Sequence, residues 1–398
     1  MAAAYSRSTL NPVQEVMHSV AGITDNQLAL LQGPAIAWPL ALAAVPMGIL
    51  IDRYRRVRLL KVFTIVAAAG TVLTAFSSTF PCLLVVRCFI AMAICGTNPT
   101  ALSLLSDLYA PAERGRATMT MAVGGYAGAA GAFALGGSLI AASNGGGLNA
   151  LRDVLLEMSV PLIVIAILSA SLQEPARRDV GIHNYSVRQA VAEVWRYRAV
   201  ILPPLVGMVL AEIGMNGVLV WGGPALSRTF HLAADRVGFI MAVTVLFSGI
   251  LGPVMGGVLA DLCHRGGGPH RTLRMLSILT FASAPGAFFP LVQQATVASV
   301  LLLAFITIIS AVIVSGTTLF TVVIPNEIRG LCITAMIAAS VLFGIGLAPL
   351  MVSLLSSLLD GPAPLGKALV IVSAATAVLA AVVFGFGSRL LSDKAVTH

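Results

Sequence analysis

Charged residues are scarce in this chain. Only 10% of its 398 residues are Asp, Glu, Lys or Arg, whereas 58% are hydrophobic, and the mean hydropathy is +0.95. So little polar surface cannot solvate a globular protein of this length. The composition therefore excludes a water-soluble globule and predicts an all-α protein embedded in a membrane.

The sequence also lacks the patterns of disulfide frameworks, metal sites and enzymes. Its five cysteines lie scattered, mostly inside apolar segments, without C-x-x-C spacing. A G-x-x-x-x-G-K pattern occurs at 361–367, but it contains two prolines and lacks the following Ser or Thr that would bind magnesium. No soluble segment is long enough for a catalytic domain. We therefore expect no enzyme activity, no cofactor and no metal.

A nucleic-acid-binding face is missing as well, although the net charge is +8. The basic residues lie in short loops between apolar runs and are not interleaved with aromatic residues. We expect the lipid bilayer and a small molecule as partners, no nucleic acid, and a monomeric chain.

Apolar runs long enough to cross a bilayer are abundant. A span needs about 20 residues, because the hydrocarbon core is about 30 Å thick and an α-helix rises 1.5 Å per residue. The predicted spans are residues 28–51, 60–79, 82–105, 117–142, 154–172, 200–221, 237–260, 275–292, 296–323, 331–358 and 368–387. Residues 1–20 include Arg7, Glu15 and His18 and are not expected to cross a bilayer alone.

Lys and Arg are distributed unequally between the two sides of these spans. If the loop after residue 51 is cytoplasmic, 18 of the 24 Lys and Arg lie in inner loops or the C-terminal segment. The remaining six are Arg7, Arg87, Arg152, Arg228, Arg236 and Lys367. The positive-inside rule then predicts a multi-pass protein of the cell inner (plasma) membrane with a cytoplasmic C-terminus.

One charged motif interrupts the apolar pattern twice. The first copy, Gly-x-x-x-Asp-Arg-x-x-Arg, consists of Gly48, Asp52, Arg53 and Arg56. A looser second copy begins 209 positions later and consists of Gly257, Asp261 and Arg265. The motif resembles the signature between the second and third helices of the major facilitator superfamily of secondary transporters.

The resemblance implies two six-helix bundles related as parallel repeats. The domains would be residues 1–172 and 200–398, joined by a cytoplasmic linker at 173–199. The linker either forms a short helix on the inner surface or is disordered. Eleven full spans plus a fragment suggest that the chain begins partway through helix 1.

The resemblance also assigns a gating role to the charged loops. Asp52 would face the N-terminus of helix 11, Arg56 would pair with Asp107, and Asp261 would make the matching contact at the fifth helix, whose N-terminus lies near Arg116. Arg114 belongs to the same gating motif. Anchoring in the membrane explains the arginines equally well. The aspartates are harder to explain in that way.

A stretch around Arg87 resembles bacterial organic-anion and spinster-like members of the superfamily. The resemblance implies that Arg87 lines the cavity and serves an anionic substrate or a proton relay, unless it snorkels to the outer interface. Asn98, next to Pro99, would supply a polar contact at a helix kink. Ile94 and Ser6 depart from the family pattern, because acidic residues are common at both positions.

Glu212 is the most unusual polar residue in the predicted spans. It lies about 18 Å into the span that starts near residue 200, where a charge costs roughly 2.5–3.5 kcal/mol. A carboxyl group in such a medium holds a proton more readily, and Asn216 lies one turn away on the same face. We hypothesise that Glu212 couples transport to protons or contacts the substrate, the alternative being a neutral structural acid.

Together these features predict a secondary active transporter that moves a small organic solute by alternating access. An organic anion is the leading substrate class, and we expect the transporter to be a proton-coupled symporter. The alternatives are a drug or lipid exporter of the same fold, and a non-transporting relic or sensor.

Overall fold

The structure is a computed structural model that describes residues 1–77, 79–110, 113–143, 147–174, 198–323, 326–361 and 363–396. Throughout these ranges the regular structure is helical, without strands. The first eight helices are α1 (Ala2–Ser8), α2 (Leu10–Ala21), α3 (Asp25–Gln32), α4 (Pro34–Arg53), α5 (Arg56–Phe76), α6 (Phe80–Leu108), α7 (Arg114–Ala142) and α8 (Leu148–Ala170).

The second half of the chain continues in the same way. Its helices are α9 (Arg198–Phe230), α10 (Ala234–Gly267), α11 (Pro269–Ser283), α12 (Ala295–Val323), α13 (Asn326–Ala339), α14 (Gly346–Leu358) and α15 (Pro364–Val396). A 3-10 segment, Ala284–Leu291, follows α11, and a π-helical segment, Ser340–Ile345, joins α13 to α14.

The helices include eleven segments, counted over the described ranges, that are long and apolar enough to cross a membrane. The prediction of an all-α protein with eleven spans is therefore confirmed. The first span, Asp25–Ala44, contains one irregularity that the sequence pattern did not indicate. Gly33 takes φ −102° and ψ −93°, so α3 ends there and α4 begins with Pro34 at its first position.

Contacts divide the chain into two compact units. The first comprises Met1–Gly181 and Leu226–Leu246, and the second comprises Ile182–Ala225 and Phe247–His398. The last turn of α9 and the start of α10 thus belong to the first unit. The predicted linker at 173–199 stays a prediction, because residues 175–197 lie outside the described ranges.

Glycines at close helix contacts shape the first unit. A Cβ on Gly96 would lie 2.3 Å from the ring of Phe63, and one on Gly70 would lie 2.5 Å from Ile90. These two positions bring α5 and α6 together at two hydrophobic clusters, one with Phe63 and the other with Ile90. A second close contact joins α7 to the start of α10, where a Cβ on Gly137 would lie 2.9 Å from the Cα of Gly238.

The second unit has close helix contacts of the same kind. A Cβ on Gly256 would lie 2.5 Å from the carbonyl oxygen of Ala311, so α10 and α12 approach closely there. Trp221, Phe305 and Phe384 are buried in this unit and supply much of its apolar packing. Trp221 and Glu212 both lie on α9, two to three turns apart.

Candidate functional site

Arg87 is almost completely buried within the first unit, with 1% of its surface exposed. Its Nη1 donates to the carbonyl oxygen of Ser6 (3.2 Å) and its Nη2 donates to that of Arg7 (2.7 Å). Arg87 on α6 therefore binds the backbone at the end of α1. The resemblance implied that it lines a cavity. In this structure it is enclosed, because the guanidinium is turned towards these carbonyl groups.

The carbonyl groups lie at an interruption between α1 and α2. Pro12, in the first turn of α2, has no N–H to offer the carbonyl of Ser8 and its ring crowds that group. The hydroxyl of Thr9 donates to the carbonyl of Ser6 (2.8 Å). Side chains thus donate to the two carbonyls that precede Ser8 in the chain. The sequence signal was Pro12 within an otherwise helical stretch.

Glu212 lies near the middle of the span Ile201–Phe230 and is half-buried, as its position in the sequence predicted. It packs against Gly344 of the π-helical segment. A Cβ on Gly344 would lie 2.8 Å from Glu212 Oε2 and 3.0 Å from Glu212 Cβ. Asn216 lies on the same face, and its Nδ2 donates to the backbone carbonyl of Glu212 (2.9 Å). Glycine at 344 therefore makes room for the carboxylate.

The π-helical segment has a cause similar to that of the α1–α2 interruption. It ends at Ile345, and Pro349 follows four residues later, so proline again deprives a carbonyl of its helical donor. The buried indole of Trp221 donates through Nε1 to the carbonyl of Pro349 (3.0 Å). Single turns of π-helix inside α-helices occur frequently at functional sites. Sequence reasoning missed this segment, although Gly344, Gly346 and Pro349 were its signal.

The first charged loop forms a compact network in the first unit. The predicted ion pair between Arg56 and Asp107 is present, and both side chains are nearly buried. Arg56 Nη1 also donates to the carbonyl of Ser103 (3.4 Å). Glu174 accepts from the backbone N–H groups of Arg56 (2.7 Å) and Val57 (2.9 Å) at the N-terminus of α5. Sequence reasoning did not find the role of Glu174, a helix-capping carboxylate 118 positions away.

The other predicted loop residues are less closely packed. A Cβ on Gly48 or Gly257 would meet no described atom within 4 Å. Arg53 and Asp261 are exposed. Arg114 donates through Nε to the carbonyl of Tyr109 (3.3 Å).

Two predicted side chains, those of Asp52 and Arg265, lie outside the described part of the chain. Asn98 is exposed on α6, which continues as an α-helix across Pro99. The expected kink is therefore not an interruption of the helix. Asn98 and Arg87 lie on the same helix, eleven positions apart.

A further cluster of charges was missed by sequence reasoning. Arg228, in the last turn of α9, donates to both carboxylate oxygens of Asp25 (2.6 and 2.8 Å) and through Nε to both of Glu15 (3.0 Å each). His18 lies 3.7 Å from Asp25. We call Glu15, Asp25 and Arg228 the Arg228 cluster. Arg228 lies 213 and 203 positions from Glu15 and Asp25, so no local pattern indicated the cluster.

Eleven candidate spans within the described ranges, arranged in two compact units, define a multi-pass helical membrane protein. The sequence model of the Major Facilitator Superfamily matches residues 1–330. The chain belongs to this superfamily. No curated protein matches it.

Solved structures show the same fold. A bacterial homologue of the human lysosomal transporter spinster, inward-facing and unoccupied, is similar with a TM-score of 0.81 and 19% identity, over 98% of this chain and 94% of that one. The nucleoside transporter NupG has a TM-score of 0.71 at 12% identity, over 97% of this chain and 98% of its own. A D-xylose-proton symporter has a TM-score of 0.70 at 14% identity, over 96% and 94%.

Proposed function

We propose that the chain is a secondary active transporter that moves a small organic solute across the inner (plasma) membrane, with its C-terminus in the cytoplasm. Membership of the superfamily and the eleven spans support this function. Transport would follow alternating access and would be a proton symport, in which the solute and protons cross the membrane in the same direction. The structural likeness to a D-xylose-proton symporter motivates the proton coupling.

The observation that carries the proposed solute class is the environment of Arg87. Its guanidinium is buried and donates only to the carbonyls of Ser6 and Arg7 among the contacts seen, and its Nε has no hydrogen-bond partner in the described residues. A buried cation without a carboxylate is unfavourable. An anionic solute would lower that cost, so we propose a small organic anion.

The environment of Glu212 supports the proposed proton coupling. The carboxyl group is half-buried in the middle of a span and lies against Gly344 at a helix irregularity. Ionisable residues at such depth mark ion pathways and proton relays in membrane proteins. Protonation of Glu212 would remove a charge from the face that contacts the π-helical segment and would change how closely the two helices pack.

Uptake into proteoliposomes tests both parts of the proposal. The purified protein is reconstituted and presented with labelled mono- and dicarboxylates, a nucleoside and a pentose, with and without an inward proton gradient. We expect accumulation of a carboxylate that rises with the gradient. The Glu212→Gln variant should bind solute but lose the dependence on the gradient.

Glu157→Gln is the matched control, since Glu157 is an exposed carboxylate of another span. It should keep the gradient dependence. If Glu212→Gln retains that dependence, Glu212 is not the coupling group. If none of the solutes accumulates although the protein is folded, a drug or lipid exporter or a non-transporting sensor becomes the better explanation.

A neutral solute is the second candidate, and one observation favours it. Because both Nη groups of Arg87 are occupied by backbone carbonyls, the residue already has a structural role that needs no anion. Accumulation of the nucleoside or the pentose, but of no carboxylate, would select this candidate.

A further inference from the structure

A groove of about 620 Å³ runs between α5 and α8 on the surface of the first unit. All eight residues that line it are apolar, among them Ile65, Ala69, Val72, Ala166 and Ile167. Its volume lies within the range of small-molecule sites. The groove exists because alanines at 68, 69 and 166 leave a hollow between larger side chains. Both helices are membrane spans, so the groove faces the level of the lipid chains.

The groove leads directly to a group of cations. On α5, Arg58, Lys61, Ile65, Ala68 and Val72 follow one another at spacings of three and four residues, which places them on one face of the helix. The first two are basic and the others line the groove. The apolar stripe and the basic end are thus parts of one continuous surface.

The contacts of Lys61 fix the basic end against α8. Its Nζ donates to the carbonyl of Ala170 (2.8 Å), one turn beyond Ile167 of the groove. Arg55 and Arg58 are exposed at the same end, as is Arg53. The position of Lys61 therefore places a cation at the mouth of the groove.

Two acids whose side chains the structure describes near this end, Asp107 and Glu174, are already engaged by other groups. Arg56 is already paired with Asp107. Glu174 is the nearby acid, and its carboxylate is engaged by the backbone N–H groups of Arg56 and Val57. Because Glu174 occupies the N-terminal amides of α5, an external anion would bind the side chains of Arg58 and Lys61.

The length of the surface matches one leaflet of a bilayer. From Lys61 to Leu73 the helix rises about 18 Å, and half of the hydrocarbon core is about 15 Å. An anionic lipid presents this combination of features: a negative phosphate at the interface and an acyl chain that extends from it. Basic residues next to membrane spans attract such lipids by about 1 kcal/mol each, which is roughly a fivefold gain in affinity.

We infer that the groove between α5 and α8 is a binding site for an anionic glycerophospholipid, with one acyl chain along Ile65, Ala69 and Val72 and its phosphate at Arg58 and Lys61. Charge complementarity at the mouth of the groove selects this occupant over a zwitterionic lipid. The site is separate from Arg87 and Glu212 and does not depend on the proposed transport activity.

Native mass spectrometry of the purified, delipidated full chain tests the site, with phosphatidylglycerol and phosphatidylcholine titrated in parallel. We expect phosphatidylglycerol to bind at least fivefold more tightly to the unmodified chain. The double variant Arg58→Gln with Lys61→Gln should lose this preference and leave the weak binding of phosphatidylcholine unchanged. Equal binding of both lipids by the unmodified chain would overturn the inference.

Filling the groove separates the acyl-chain contact from the charge. Ala69→Phe should weaken phosphatidylglycerol binding about tenfold, and Ala166→Phe should do the same from the facing helix. Val62→Phe is the matched control, since Val62 is exposed on α5 but does not line the groove. An equal loss of phosphatidylglycerol binding in the control would overturn the site. So would a dimer of the unmodified chain that dissociates only in the two filled variants, because a second copy of the chain would then occupy the groove.

Discussion

Arg87 in the first unit and Glu212 in the second are both ionisable side chains inside membrane spans, but their surroundings differ. Arg87 is enclosed and hydrogen-bonded to two backbone carbonyls at the α1–α2 interruption. Glu212 is half-buried and packs against the one residue type that leaves room for its carboxylate, Gly344. The arginine has a structural environment, whereas the glutamate lies where a small movement changes its exposure.

Both ionisable side chains lie beside a helix irregularity. At each irregularity, a proline removes one helical backbone hydrogen bond, Pro12 near the end of α1 and Pro349 after the π-helical segment. A freed carbonyl in a low-dielectric medium needs another donor, and a widened turn leaves space for a side chain. Helix irregularities are therefore the places where polar chemistry enters an otherwise apolar interior.

The largest effect is expected from Arg87→Met. The carbonyls of Ser6 and Arg7 would each lose a donor, and a buried group that loses its partner costs about 1–3 kcal/mol. We expect the free energy of unfolding to fall by about 2–4 kcal/mol, measured as thermal unfolding in detergent. Arg236→Met, at an exposed arginine of the same unit, should change little.

A double-mutant cycle sharpens this prediction. Pro12→Ala restores an N–H for the carbonyl of Ser8 and should make the α1–α2 connection more regular. The loss caused by Arg87→Met should then be smaller in the Pro12→Ala background. Equal losses in both backgrounds would show that Arg87 does not act through the interruption.

Gly344→Ala should give the next largest effect. The added Cβ would lie 2.8 Å from Glu212 Oε2, so either the carboxylate or the π-helical segment must shift. We expect about a tenfold fall in transport rate and a loss of about 1–3 kcal/mol in stability. Gly125→Ala, at a helical glycine of α7 where the space is open, is the control. Adding Glu212→Asp, which shortens the acid, should restore part of the stability that Gly344→Ala loses. If stability does not recover, the strain does not arise from the contact with Glu212.

Arg228→Gln tests a third kind of charged site. Its partners Glu15 and Asp25 keep about a fifth to a third of their side chains exposed, so salt screens these interactions. We expect the free energy of unfolding to fall by about 1–2 kcal/mol at low ionic strength and by less in 1 M salt. Thermal unfolding at both salt concentrations measures the difference. Arg87→Met should show no such salt dependence, and similar salt responses would contradict the distinction.

The smallest effect is expected from Trp221→Phe. It removes the hydrogen bond to the carbonyl of Pro349, worth about 1 kcal/mol. Amide hydrogen exchange should accelerate in Ser340–Ile345 more than elsewhere in the second unit. Trp38→Phe, at an exposed tryptophan of α4, should leave exchange unchanged.

Features that depend on local composition were predictable. The eleven spans follow from runs of apolar residues, and the depth of Glu212 follows from counting residues along one helix. The pair of Arg56 and Asp107, 51 positions apart, was predicted from the motif that carries the family resemblance. The Arg228 cluster, whose partners lie 203 and 213 positions away, was not predictable, because no periodic pattern links such distant residues.

The sequence by itself determined that the chain forms membrane-spanning helices and which of their residues are charged, since hydrophobic length and charge are local properties. The tertiary structure decided which prolines interrupt a helix. α6 continues across Pro99, whereas irregularities occur near Pro12 and Pro349, where Arg87 and Trp221 donate from other helices to nearby backbone carbonyls. The reason is that a carbonyl without its helical partner is tolerated in an apolar interior only where another part of the fold supplies a donor.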